Sequence, residues 1–248
     1  TARQLRDANE RLKQLDMQKD DFLSQVSHEL RTPMTSIRSF AQILLETPDM
    51  TIEETQRFTG IILEESMRLT RLLDEILDLA RLEGEQVPWI LQRVDPEETL
   101  ERAVATCHGL ASQADTKIEF GARAAGIEVK AEADRLRQVY LNLITNAIKY
   151  NTSDKPVITI RTTLEDDRYC VYIQDNGEGI RADDRERIFK KFSRGWRESK
   201  DGRSGTGLGL AISWQIMQRL QGDLELLPQT PGDGACFRVT LPFVSIKT

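Results

Sequence analysis

The chain has 248 residues, of which 39% are hydrophobic and 30% are charged. This length suggests one large domain or two smaller ones, and the composition is that of a globular protein with extra charge. The net charge of −6 argues against a duplex-DNA binder, so nucleic acid is not an expected partner. The chain has no apolar run long enough to cross a bilayer and no signal-peptide pattern at residues 1–15. We therefore expect any membrane segment of the parent protein to lie outside this chain.

The first 82 residues predict two long amphipathic helices. From Leu5 onwards, apolar residues recur every three or four positions in a heptad seam, and this helix is expected to end near Pro48. A second helix begins at Thr51 and ends near Gly84. Such a hairpin has a wide apolar stripe, and its two helices alone cannot bury all of that surface. Two copies would form a four-helix bundle, which predicts a homodimer.

The rest of the chain predicts a mixed α and β domain that follows a linker at residues 84–92. Helices are expected from Asp95 to about Ala114, from Asp134 to Tyr150 and from Thr206 to Leu220. Strands are expected at residues 117–120, 127–131, 157–163, 169–174, 224–227 and 236–241, and two of them, 157–163 and 169–174, form one hairpin. Helices and strands in blocks, without strict alternation, indicate an α+β sandwich.

Residues 27–33 read SHELRTP and have the residue types of a phospho-acceptor. At ~100° per residue, His28 faces away from the apolar seam. A neutral imidazole has one lone pair for attack, and the carboxylate of Glu29 can hold its other nitrogen's proton. Thr32 lies one turn further on the same face. The alternatives are a solvated histidine with chance neighbours, and a Thr32 hydroxyl that only bonds to the backbone before Pro33.

Three segments have the residue types of a nucleotide site. On the helix at 134–150, Asn142, Asn146 and Lys149 share one face, where an amide can bind Mg²⁺ and an ammonium can meet phosphate. The segment DNGEGI begins at Asp175, whose carboxylate can accept from the exocyclic amine of adenine. The segment GTGLGL at 205–210 exposes backbone N–H groups at a helix N-terminus. Each segment alone is weak, because an ordinary helix, a plain turn or a chance glycine motif would look the same.

Taken together, these motifs resemble those of bacterial sensor histidine kinases. The segment SHELRTPMTSI is similar to the family's phospho-acceptor box, and residues 134–150, 175–180 and 205–210 are similar to the N, G1 and G2 boxes of its ATP-binding domain. Residues 188–194 resemble the F box, and residues 193–204 resemble the mobile ATP lid. The chain departs from the family at Ser193, where an aromatic residue is usual, at Trp196, which follows the usual Arg-Gly, and at 220–222, where Leu-Gln-Gly replaces a common His-Gly-Gly.

The resemblance implies an all-α helical hairpin that dimerises into a four-helix bundle, followed by an α+β sandwich ATPase domain of the gyrase and histidine kinase type. The expected domains are a signalling coiled-coil helix (1–15), a dimerisation and histidine phosphotransfer domain (16–83), a linker (84–92) and an ATP-binding catalytic domain (93–248).

The resemblance also implies ATP-dependent autophosphorylation of His28, transfer to an Asp of a response regulator, and phosphatase activity towards that regulator. The catalytic residues would be His28, Glu29 and Thr32, the cofactors ATP and Mg²⁺, and the metal ligand Asn146. The expected nucleotide-binding residues are Asn142, Asn146, Lys149, Tyr150, Asp175, Gly177, Gly179, Arg194, Gly205, Thr206, Gly207, Leu208 and Gly209.

The expected partners are a second copy of the chain, a response regulator receiver domain and a missing N-terminal sensor module. The chain would then be the cytoplasmic portion of a parent protein that can be anchored in the inner membrane. Two rival functions are an ATP-driven conformational machine of the gyrase type and a non-catalytic dimerisation scaffold. A histidine on a separate hairpin argues against the first, and the intact Asn146, Asp175 and glycines argue against the second.

Overall fold

The computed structural model describes residues 2–84, 88–193, 205–229 and 232–246. These residues form two compact units. The helical unit contains the chain up to Leu77 together with Gly205 and Thr206, and the second unit contains the rest from Asp78 onwards. None of the helices in these described ranges is both long enough and apolar enough to span a membrane.

The helical unit is built from two helices, α1 (Ala2–Glu46) and most of α2 (Ile52–Glu83). The last turns of α2, from Asp78 onwards, belong to the second unit. A capping box starts α2: the Thr51 hydroxyl accepts from the Glu54 N–H, and the Glu54 carboxylate accepts from the Thr51 N–H at 3.0 Å. Near the connection, the rings of Phe40 and Phe58 stack with centroids 5.4 Å apart. The predicted hairpin is confirmed. Large apolar side chains remain exposed along it, among them Leu12, Met17, Leu23, Leu63 and Met67.

The second unit contains a mixed sheet. Its strands are β1 (Gln92–Val94), β2 (Lys117–Phe120), β3 (Ile127–Ala131), β4 (Val157–Glu165), β5 (Arg168–Asp175), β6 (Asp223–Leu226) and β7 (Cys236–Ile246). Their order is β1-β3-β7-β5-β4-β2, with β6 also paired to β7, and β2 and β4 are the parallel pair. The predicted hairpin of β4 and β5 is confirmed. Its turn residues Asp166 and Asp167 both have positive φ, which matches the twist of the strands.

Helices α3 (Pro96–Gln113), α4 (Ala133–Tyr150) and α6 (Gly209–Arg219) pack on this sheet, and a single-turn helix, α5 (Ala182–Arg185), follows β5. Asp95 caps α3 by accepting from two backbone N–H groups, and Pro96 occupies the first turn. The central helix α4 packs against α3, α6, β4 and β5. Its buried face contains the predicted residues Leu136, Val139, Tyr140, Leu143 and Ala147. The expected combination of a helical hairpin and a domain of mixed helices and strands is confirmed.

Most element boundaries agree with the sequence-based expectation to within two residues, and three larger differences have a structural reason. The last helix begins at Gly209, not at Thr206, because Gly207 has φ +72°, which a right-handed helix cannot include. The predicted linker already enters β1 at Gln92, a strand too short to show alternation. Strand β7 continues to Ile246 because its second half pairs with β3 after its first half has paired with β5.

The end of α2 also contributes to the core of the second unit. Leu79 and Leu82 are buried there. The Asp78 carboxylate accepts from Arg135 at 2.5 Å and from Gln138 at 2.7 Å, and both donors lie on α4. The expected domain boundaries at residues 15, 83 and 92 remain predictions.

Candidate active site

His28 lies on α1 with its side chain in solvent. The imidazole is 77% exposed, as its helical position predicts, and its Nδ1 is 3.9 Å from Oε1 of Glu29. The Glu29 side chain is only 17% exposed, so its carboxylate is held close to the helix beside the ring. A separation of 3.9 Å is an electrostatic contact, and a small side-chain rotation would bring it within hydrogen-bond distance. Nε2 is the ring nitrogen that is not engaged in this contact.

Thr32 lies one turn beyond His28 and bonds to its backbone. Its Oγ1 donates to the carbonyl of His28 over 3.4 Å, a long hydrogen bond. Pro33 is buried in the same turn and has no N–H to donate, so α1 lacks one ladder bond here. The hydroxyl oxygen of Thr32 keeps its lone pairs as acceptors. The backbone bond that we considered for Thr32 is therefore present, and it leaves room for a second role.

The segment GTGLGL meets α4 at Asn142. Gly209 opens α6 directly against this side chain, so that a Cβ at Gly209 would overlap the amide. One turn further along α6, the hydroxyl of Ser213 accepts from Nδ2 of Asn142 at 2.8 Å. Asn142 therefore joins two helices. Ser213 was missed by our sequence reasoning, although its spacing from Gly209 places it on the same helix face.

The segment DNGEGI contacts the two residues that directly follow α4. A Cβ at Gly177 would lie 3.3 Å from the backbone nitrogen of Thr152 and 3.4 Å from Cα of Asn151. The Asn151 amide also donates to Oδ1 of Asn176 at 2.9 Å. The glycine therefore permits a close approach between the turn and the residues that end α4. Two of the three predicted segments, DNGEGI and GTGLGL, therefore contact α4 or the residues that follow it. That the three segments form one nucleotide site stays a prediction.

Asp175 ends β5 and is 9% exposed. Its Oδ1 accepts from the N–H groups of Gly177 at 2.9 Å and Ala235 at 3.2 Å. Within the described ranges, no group bonds to its second oxygen, Oδ2. Burial raises the pKa of Asp175, and the two backbone N–H bonds oppose that rise. Gly234, with φ +72°, closes against the Asp175 carbonyl where a side chain would overlap it.

Asn146 and Lys149 are the other two predicted polar residues of α4. Asn146 is half-buried, and its amide has no hydrogen-bond partner among the residues that the structure describes. Lys149 Nζ lies 2.8 Å from the Tyr150 hydroxyl and 4.7 Å from the centre of that ring. The described residues contain no group of three acidic, His or Cys side chains that could enclose a metal ion. Mg²⁺ bound to phosphates takes only one or two protein ligands, and the open Asn146 amide suits that requirement.

Other predicted site residues have different surroundings. Leu208 is fully buried, so only its backbone can face a ligand. A Cβ at Gly207 would come within 2.9 Å of Cα of Phe192. Glycine at this position therefore lets the backbone pack directly against Phe192, a residue of the expected F box. Gly205 and Thr206 group with the helical unit, where the Thr206 hydroxyl donates to Glu75. Arg194 and the expected lid beyond Ser193 lie outside the described residues.

Comparison with protein families matches both parts of the chain. Residues 18–85 match the His Kinase A (phospho-acceptor) domain, and residues 131–245 match the histidine kinase-, DNA gyrase B- and HSP90-like ATPase family. The chain is 35% identical over 226 residues to the sensor histidine kinase MtrB of Mycobacterium tuberculosis. That alignment covers 90% of this chain and 39% of MtrB, so the chain spans well under half the length of this relative.

Two solved structures extend the comparison. Full-length ShkA in complex with AMPPNP is 27% identical, with a TM-score of 0.67 over 92% of this chain and 47% of ShkA. The histidine kinase ThkA in complex with the response regulator protein TrrA is 23% identical, with a TM-score of 0.74 over 95% of this chain and 64% of ThkA. At that identity, the second likeness establishes a shared fold.

Proposed function

The chain belongs to the sensor histidine kinase family, and on that basis we propose that it transfers the γ-phosphoryl group of ATP to His28. The observation that carries this proposal is that Gly209 closes against Asn142 of α4, while Gly177 closes against Asn151 and Thr152, which directly follow α4. The Gly177 approach lies beside Asp175, whose Oδ1 accepts from the Gly177 N–H and whose Oδ2 has no bond among the described residues. ShkA binds the ATP analogue AMPPNP, which supports a nucleotide at the corresponding surface here.

The base of ATP is selected by Asp175. Its Oδ1 accepts from two backbone N–H groups, so Oδ2 is the oxygen that remains to accept from a ligand. A carboxylate oxygen accepts from the N6 amine of adenine, whereas guanine presents a carbonyl oxygen at the same place and would be repelled. Asn146 would hold Mg²⁺, which supplies positive charge to the phosphates when it is bound. The ammonium of Lys149 lies on the same helix face and can meet the phosphate oxygens.

Phosphoryl transfer requires little covalent chemistry from the protein. The Nε2 lone pair of His28 forms a bond to the γ-phosphorus while the bond to the β–γ bridging oxygen breaks, and ADP leaves with that electron pair. The ring becomes positively charged as the new bond forms. Glu29 stabilises this charge and holds the Nδ1 proton on the opposite side of the ring. Positioning and charge neutralisation therefore account for most of the expected acceleration.

The partners follow from the same assignment. We propose a homodimer in which the exposed apolar residues of α1 and α2 pack against a second copy. The phosphoryl group then passes to an aspartate of a response regulator receiver domain, and the ThkA complex with TrrA supports this class of partner. A sensor module and a membrane anchor would belong to the part of a longer protein that this chain does not contain, as the greater length of MtrB suggests.

Labelling with γ-labelled ATP tests the kinase proposal directly. The wild-type chain should acquire label that is stable to base and labile to acid, and His28→Ala should acquire none. The matched control is His108→Ala, because the chain has two histidines and His108 is exposed on α3. Both variants should bind an ATP analogue as the wild type does. Full label on His28→Ala, or a wild-type chain that binds no ATP analogue, would contradict the assignment.

We also propose that Thr32 supports removal of phosphate from the response regulator. Its hydroxyl lies one turn from His28, where a receiver aspartate would dock, and can orient a water for in-line attack. Thr32→Ala should keep autophosphorylation but leave the phosphorylated receiver long-lived in the presence of ADP. The control is Thr59→Ala, another exposed threonine that bonds to a helix carbonyl. Equal dephosphorylation rates in Thr32→Ala and the wild type would remove Thr32 from this role.

A further inference from the structure

A closed ring of hydrogen bonds surrounds the backbone of Ile180, the residue that ends the DNGEGI turn. The Ile180 N–H donates to Oε1 of Gln229 at 3.0 Å. Arg185, at the end of α5, donates from Nε to the Ile180 carbonyl at 3.2 Å and from Nη2 to the same Gln229 oxygen at 3.1 Å. Two side chains from outside the turn therefore satisfy both polar groups of one peptide residue.

The orientation of the Gln229 amide follows from its partners. Two donors converge on one atom of the amide, and only the oxygen can accept from both. The other amide atom, Nε2, is buried and has no partner among the described residues. A buried amide without an acceptor is costly, so packing alone does not favour a glutamine at this position.

Gly179 shows how closely Gln229 packs against the turn. This glycine has φ +76°, and a Cβ there would lie only 2.6 Å from Oε1 of Gln229. At the other end of the turn, Oδ1 of Asp175 holds the Gly177 N–H. The four residues from Gly177 to Ile180 are thus anchored at both ends, by Asp175 on one side and by the Gln229 and Arg185 ring on the other.

We infer that Gln229 and Arg185 are positioning residues for nucleotide binding, which act by holding the Gly177–Ile180 turn in its ligand-ready conformation. This inference rests on the proposed ATP site. Neither side chain has to touch ATP, because both act through the Ile180 backbone. If the ring is broken, the turn samples other conformations in the free protein. Binding must then order it, and the ordering cost lowers the affinity for nucleotide.

Isothermal titration with an ATP analogue measures this effect. Gln229→Leu removes the acceptor at nearly constant size and should weaken binding by about tenfold. Gln229→Glu keeps an oxygen for Ile180 and Arg185 and should restore binding to within about threefold of wild type. The matched control is Gln218→Leu, because Gln218 is exposed on α6 and its amide makes only a long contact to Asp223. This control should bind like the wild type.

The ring also predicts a specific coupling. Arg185→Leu should weaken binding about as much as Gln229→Leu, and the double variant should lose little more, because either change opens the same ring. If the loss of binding free energy in the double variant equals the sum of the losses in the two single variants, the shared role is overturned. At saturating ATP, the labelling rate of each variant should stay near the wild-type rate while KM rises. A fall in that saturated rate with an unchanged KM would overturn a role in binding.

The outcomes separate this inference from the proposed function. A wild-type chain that does not bind the analogue overturns the ATP site itself. Wild-type binding together with unchanged affinity in Gln229→Leu and Arg185→Leu overturns only the positioning role. Equal losses of affinity and melting temperature in Gln229→Glu and Gln229→Leu would indicate a packing role instead and would also overturn it. If Gln229→Leu does not fold, Arg185→Leu tests the same ring from the surface side.

Discussion

Replacing Asp175 by asparagine separates two roles of one carboxylate, its bonds to the backbone and its proposed recognition of adenine. Asp175→Asn keeps an Oδ1 acceptor for the N–H groups of Gly177 and Ala235, so the turn should stay in place. The second oxygen becomes an amide nitrogen, which is a donor. The N6 amine of adenine, itself a donor, then meets a donor in place of an acceptor. The variant should therefore fold normally and bind ATP poorly.

The expected loss can be estimated from the bond that is removed. A hydrogen bond to a charged group contributes about 1.5–3 kcal/mol, which corresponds to a loss of affinity of roughly 10- to 150-fold. The lower end applies if a water enters between the amide and the base. Guanine presents a carbonyl oxygen to the new amide, so affinity for a GTP analogue should rise relative to ATP.

The same substitution that weakens ATP binding should leave the stability of the nucleotide-free protein unchanged or raise it. Burial raises the pKa of Asp175 above its ordinary value of 3.8. A group whose pKa is raised by folding stabilises the protein below its unfolded pKa and loses that contribution as the pH rises through the folded pKa. Above its raised folded pKa, the ionised Asp175 therefore lowers stability. Asp175→Asn should melt at the same or a higher temperature, and the difference should shrink as the pH falls towards about 4.

Titration calorimetry at pH 7 and thermal melts from pH 4 to 7 would measure the two effects. The control is Asp223→Asn, because Asp223 is exposed and its Oδ1 accepts from the Leu224 N–H at 2.9 Å. It should change neither the affinity for nucleotide nor its selectivity. A folded Asp175→Asn chain with wild-type affinity for ATP would refute the adenine role. A large fall in its melting temperature at pH 7 would refute the argument on charge burial.

Three further changes test other parts of the structure. In a rapid-quench assay, Glu29→Ala should slow labelling by roughly 10²–10⁴-fold, while its affinity for an ATP analogue should not change. A wild-type labelling rate would show that the carboxylate is not needed. Gly179→Ala should lower the free energy of unfolding by about 1–2 kcal/mol, because φ is positive there and its Cβ would press on Gln229; an unchanged urea midpoint would contradict this. Tyr169→Phe removes a 2.7 Å bond to buried Glu97 and should lower the free energy of unfolding by about 1.5–3 kcal/mol while leaving nucleotide affinity intact; weaker nucleotide binding would show that this network reaches the site.

Local chemistry was enough to predict most of the elements. The helix starts expected at Thr51 and at Asp95 are reproduced by the structure, which adds the Thr51–Glu54 capping box and the Asp95 cap as their local causes. The outward direction of His28 follows from helix periodicity alone. These features depend on residues within one or two turns of each other, so their information is contiguous in the chain. The same locality explains two errors: β1 is too short to have a period, and Gly207 delays the last helix through its backbone angle.

The organisation of the proposed nucleotide surface was decided by tertiary contacts. The sequence by itself determined which residue types could bind ATP, in the order Asn146, Asp175 and the glycines of 205–210, and the family resemblance connected them. Only the folded chain shows that Oδ1 of Asp175 is occupied by Ala235, sixty residues further on, which leaves Oδ2 for a ligand. Only the folded chain closes the ring of Gln229 and Arg185 on Ile180, because their 44-residue separation carries no periodic signal. Periodicity records which face of one element is buried, whereas the partner across that face is set by how the sheet and α4 pack.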